Sequence, residues 1–84
     1  MDWSSKIKDV STRNDFIKFI EELSLDYSKN NEEWENKDLN SYFEAIASWS
    51  EDMEGYYTNV KLDLPNNINW EFMAMLLYIG KIYE

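Results

Sequence analysis

Carboxylates are the one abundant kind of side chain in this sequence with chemistry to offer. Eight of them fall within residues 32–54: Glu32, Glu33, Glu35, Asp38, Glu44, Glu51, Asp52 and Glu54. Two carboxylates can cleave a glycosidic bond when one is desolvated enough to stay protonated and the other stays ionised. The four Trp and six Tyr would suit that substrate, because sugar rings stack on them. A chain of 84 residues, however, offers no deep groove in which to desolvate an acid. Spaced carboxylates also bind calcium. In Ser50–Lys61, the residues Asp52, Glu54 and Gly55 would take the third, fifth and sixth places of an EF-hand loop. The twelfth place is then Lys61, which cannot supply the bidentate carboxylate that closes such a site, so the motif fails. The chain has neither Cys nor His. Thiol chemistry is thereby excluded, and the commonest general base and the commonest zinc, iron and copper ligands are missing. There is no Gly-rich phosphate loop, nucleophile elbow or HExxH motif. The expectation is a non-enzymatic protein with no cofactor and no metal.

The acids are unevenly placed. The net charge of −9 divides into −1 over residues 1–31, −7 over 32–54 and −1 over 55–84. Such a chain repels phosphate backbones and anionic lipid surfaces, so neither nucleic acid nor membrane is an expected partner. A basic protein is. One reading of the acidic segment is a solvated face that keeps the protein dissolved. The other is a docking surface, in which Glu32, Glu33, Trp34, Glu35, Glu44, Glu51, Asp52, Tyr56 and Tyr57 meet a basic protein. In its most specific form this is an inhibitor or immunity-type protein covering a basic site on a toxin or nuclease. The alternative is a small carbohydrate- or ligand-binding module that uses Trp34, Tyr56 and Tyr57 as exposed aromatics beside a groove.

The length implies one domain, 1–84. The composition is 44% hydrophobic and 17% aromatic, and large side chains help a small domain bury enough surface. Two Gly and one Pro argue against a turn-rich β fold. The most apolar run, Phe72 to Gly80, is far shorter than the roughly 20 residues of a membrane span. No basic segment precedes an apolar stretch at Met1–Lys6, so a cytoplasmic location is expected.

The spacing predicts a mainly α fold of three helices, with an extended connector at about 56–64. The first helix follows Thr12 as N-cap, with Asp15 at capping-box spacing, and buries Phe16, Phe19, Ile20, Leu23 and Tyr27. It fades in Ser28–Asn31. The second begins near Asp38 and carries Leu39, Tyr42, Phe43, Ile46, Trp49 and Met53 on one stripe. Gly55 is expected to end it in the left-handed conformation. The third follows Asn69 as N-cap and runs from Trp70 to Tyr83. It is apolar on two faces, so it is either central or an interface, with Met75, Ile79 and Ile82 as the homodimer or partner contact. Trp49 and Trp70 are expected to meet in the core. Lys6–Val10 alternates and is a candidate to pair with the 56–64 connector.

A set of short pieces in fixed order carries a family likeness. They are Glu33-Trp34-Glu35-Asn36, Leu39, Glu44-Ala45, Trp49, Asp52-Met53-Glu54-Gly55-Tyr56-Tyr57, Asn59, Pro65, Trp70 and Lys81-Ile82-Tyr83-Glu84. Over residues 12 to 84 the chain resembles a family of small bacterial proteins known only as a domain of unknown function. The resemblance implies a small helical bacterial protein and brings no catalytic residues. One departure, Gly80 where the pattern usually has Ala, implies a looser last helix.

Overall fold

The computed structural model describes residues 2–62 and 68–83. They form four α-helices and no strand: α1 (Trp3–Lys8), α2 (Arg13–Asn30), α3 (Leu39–Asn59) and α4 (Trp70–Ile82), with a single 3₁₀ turn, Asn31–Glu33, after α2. The mainly α class is as expected, with one helix more than the periodicity predicts.

Three helix starts follow the capping rules. Asp15 N–H donates to Thr12 Oγ1 at 3.1 Å and Thr12 N–H donates back to Asp15 Oδ2 at 3.2 Å, a complete capping box. Ser41 N–H donates to Asp38 at 2.8 Å, and Phe72 N–H to Asn69 at 2.7 Å. The fourth start is new. Asp2 accepts from Ser4 N–H at 3.1 Å and Ser5 N–H at 3.4 Å, and so opens α1. Lys6–Val10 is therefore the end of a helix and its closing turn, not a strand. Trp3, Ile7 and Val10 lie four and three residues apart, which is one helical face, and all three are buried. Alternation over five residues could not distinguish that face from a strand.

Gly55 does not end α3. It has no positive φ, lies inside the helix and has open space where a Cβ would stand. The left-handed residue is Lys61, with φ 59°. Leu62 N–H donates to Tyr57 O at 3.0 Å and Lys61 N–H to Thr58 O at 3.1 Å, the bond pair of a Schellman stop. The predicted extended connector is thus helix through Asn59 and a stop over 60–62, and its residues 63 and 64 lie outside the described ones. Gly inside a helix costs about 1 kcal/mol. Tyr57, buried beyond it, and Tyr56, packed on the same cluster as Trp49, outweigh that cost.

Of its two readings, α4 takes the central one: it packs against α1, α2 and α3. Two apolar clusters meet along it. The first joins Trp3, Ile7 and Val10 to Phe19 and Leu23 of α2, Trp34 and Ala74. The second joins Trp49 and Tyr57 of α3 to Phe72 and Ile79 of α4. Half-buried Met75 packs on both. Trp49 is buried as expected, but Trp70 is 38% exposed and its ring lies 5.2 Å from Phe16, so the two tryptophans do not form one core. Trp70 is the first residue of α4, where a side chain leans back toward the helix start and away from the centre. Gly80 does not loosen α4. A Cβ there would run into the Tyr42 ring, and Tyr42 Oη donates to Leu77 O at 2.7 Å. The glycine lets α3 and α4 approach closely.

Candidate functional site

The residues singled out for docking divide between surface and core. Glu32 and Glu33 are exposed on the 3₁₀ turn, and Glu44, Glu51 and Asp52 are exposed on α3. Glu35 is exposed too, and its backbone N–H donates to Lys81 O at 2.9 Å. Trp34 and Tyr57, expected at the surface, are buried, and Tyr56 is half-buried. Their aromatic area fills the interior of a small domain rather than lining a groove.

Trp34 is held from several sides. Its ring lies 5.0 Å from Tyr27 and 6.2 Å from Tyr42. Its Nε1–H donates to Asp26 Oδ2 at 2.8 Å. The same oxygen accepts from Lys81 Nζ at 2.9 Å, and Asn30 Nδ2 donates to Oδ1 at 3.2 Å. Burial, the largest influence, pushes the Asp26 carboxyl up. The hydrogen bonds from Lys81, Trp34 and Asn30, with the Lys81 charge, together outweigh it and hold the carboxyl below its ordinary value. The Lys81 ammonium also lies 5.0 Å from the Trp3 ring centre and 5.7 Å from that of Trp34. Asp26 and Lys81 are functional-looking residues that periodicity missed, because each reads as a surface charge until the fold brings them together.

Three further hydrogen bonds pin the connector between α2 and α3. Tyr27 Oη donates to Lys37 O at 2.6 Å, and Asn36 Nδ2 donates to Gly80 O at 3.0 Å and to Tyr83 O at 2.6 Å. It thereby forms one wall of a groove of about 460 Å³. Ile20, Leu23, Tyr27, Trp34, Leu39 and Tyr42 line it, and Lys37 and Asp38 lie on it too. Among these Leu39 is the exposed one of the large apolar residues, at 68%. Phe43, one helical turn on, is 59% exposed. Both were expected in the core stripe. They lie at its edge: Leu39 opens onto the groove, and Phe43 has the Tyr42 ring 6.0 Å to one side and is otherwise largely exposed.

Around α3 from Leu39 and Phe43 come the acids. Glu44 and Glu51 are seven residues apart and share a face, with Asn40 Nδ2 donating to Glu44 at 3.0 Å. The ion pairs among the described residues are Lys6–Glu22 at 2.6 Å and Lys81–Asp26 at 2.9 Å, so the acids of α3 keep their charge toward solvent. At the other end of the helix Asp52 accepts from Tyr83 Oη at 3.2 Å. Burial first, then this bond, raises the Tyr83 hydroxyl above its ordinary value.

The predicted self-association face is not assembled. Ile79 is 5% exposed within the second cluster and Met75 is half-buried between the two clusters, which leaves Ile82, at 44%, as the exposed one of the three. The two-faced apolar pattern of α4 reflects its central position. Among the described residues, no three acidic side chains converge as a metal site, and no helix is long and apolar enough to cross a membrane.

No curated protein and no solved structure matches the chain. Residues 12–84 do match a family described as a family of unknown function, DUF7660, and the chain belongs to it.

Proposed function

We propose that the domain is a non-catalytic protein-interaction module that docks a basic, amphipathic segment of another protein along the N-terminal half of α3. One arrangement supports this reading: Leu39 is exposed on the lining of a 460 Å³ apolar groove and Phe43 is exposed one turn on, on the same helix as Glu44 and Glu51, which form no ion pair among the described residues. Exposed apolar side chains rimmed by charge mark interaction sites, and a local charge of −7 over 32–54 selects a positively charged occupant. The narrower version, an inhibitor or immunity-type protein that covers a basic site, rests on the same surface. The reading as a sugar-stacking module is weaker, because Trp34 and Tyr57 are buried.

Capture from a lysate of cells that make the protein tests the proposal, with the wild type run beside Phe43→Asp and a Glu44→Lys/Glu51→Lys variant. The expected result is a basic protein retained by the wild type and lost from both variants. Its association should also slow as salt rises, with dissociation changed less. Equal retention by all three forms, or retention of no basic protein, overturns the reading.

A further inference from the structure

The C-terminal half of α3 and the last turn of α4 enclose a second depression, of about 450 Å³, away from the groove at Leu39. Buried Trp49 and Ile79 lie at its base, and half-buried Tyr56 and Tyr83 line it. Exposed Asp52 and Asn59 give it a polar edge. Tyr83 Oη occupies Asp52 Oδ2, and among the described residues no donor reaches Oδ1 or the Asn59 amide oxygen.

We propose that this depression receives an arginine side chain. Arginine has an apolar stem and a planar cation that stacks on aromatic faces and donates paired hydrogen bonds to a carboxylate. Each part meets its complement: the stem at Ile79 and Trp49, the plane at Tyr56 and Tyr83, the N–H groups at Asp52 and Asn59. An anion would meet the Asp52 charge on a chain of net charge −9. A lysine ammonium is compact and strongly hydrated, and gains less from the aromatic walls. The source of the arginine, a residue of the basic partner, rests on the docking function proposed above. The preference of the depression for a guanidinium group does not.

Titration of the full chain with N-acetyl-arginine amide, followed by heteronuclear NMR, tests it. The comparison ligands are the neutral isostere N-acetyl-citrulline amide, N-acetyl-lysine amide and glucose. Saturable shifts are expected at the Trp49 indole and the Asn59 side-chain amide, with the Leu39 and Phe43 signals unmoved. Asp52 is exposed, so Asp52→Asn leaves the fold intact, and it should weaken binding about tenfold through loss of one charge-assisted hydrogen bond. No saturable shift, or binding of the citrulline, lysine or sugar ligand as tight as that of the arginine amide, overturns the assignment. The two readings fail separately: arginine binding here with partner retention by Phe43→Asp removes the docking reading and leaves this one standing, and the converse result removes only this one.

Discussion

The two clusters that meet on α4 bury similar aromatic side chains by different means. The first surrounds an ion pair: Asp26 and Lys81 lie inside a shell that includes Trp3 and Trp34, with every buried polar side-chain atom among the described residues hydrogen-bonded. The second has no charge at its centre, only Trp49, Tyr57, Phe72 and Ile79. A buried pair adds little net stability over an apolar replacement, but each half is costly to leave alone. An apolar cluster loses only in proportion to the volume removed. The first region should therefore be intolerant of single changes and forgiving of paired ones. The second should respond to size alone.

The largest test of that contrast is Asp26→Ala, which strands the Lys81 ammonium and should cost about 3–5 kcal/mol in denaturant melts. Lys81→Met should cost at least about 1 kcal/mol less in the Asp26→Ala background than in the wild type. Additive losses would show that the pair is not coupled and would erase the distinction between the clusters. Acid sharpens it. The folded Asp26 pKa is depressed, so its contribution is present above the unfolded value and is lost as pH falls through the folded one. The loss begins near the ordinary carboxylate range of about 4. An Asp26→Asn variant should lack this part of the acid slope, and an unchanged slope would mean that the carboxylate is not held in its charged form.

Trp49→Ala in the second cluster should cost about 3 kcal/mol or more, with no pH-dependent component of its own. A loss below roughly 1 kcal/mol, the scale of surface sites, would remove Trp49 from the core. Smaller effects come from the two glycines. Gly80→Ala pushes a methyl into the Tyr42 ring and should destabilise by about 1–3 kcal/mol. Gly55→Ala meets nothing and relieves a helical glycine, so it should stabilise by about 1 kcal/mol. If both substitutions moved the melting temperature the same way, the contrast between a packed and an open glycine would fail.

The parts of the fold governed by neighbouring residues were legible. Thr12, Asp38 and Asn69 cap as their types dictate, and the α2 stripe from Phe16 to Tyr27 faces inward because its spacing stays in step with the helix. The parts governed by distant residues were not. Lys81 follows an apolar run and Asp26 lies between Leu25 and Tyr27, and nothing local says that they meet. Gly55 was misread because the residues that carry α3 past it act through Trp49 and the α4 face, not through the glycine itself. For the candidate site, Glu44, Glu51 and Asp52 fall outside the apolar stripe of α3 and are exposed, as the docking reading requires. The exposure of Leu39 and Phe43 was hidden, because an apolar stripe does not say which of its edges finds a neighbour.

The placement of α1 bears on how the chain acquires its shape during synthesis. Trp3 stacks on Tyr78 at 5.9 Å and its ring faces Lys81, so α1 is completed by α4, far along the chain. Phe19 of α2 meets the Trp3 ring at 5.6 Å, α4 supplies the rest, and residues 12–84, which carry the family likeness, leave out α1 altogether. Closing a loop of nearly the full length of the chain is slow compared with the local pairings of most small helical proteins. Until α4 has left the ribosome, Trp3, Ile7 and Val10 have only the α2 side of the first cluster to pack on, with Phe19 5.6 Å from the Trp3 ring, and the side that Ala74, Tyr78 and Lys81 cover stays open.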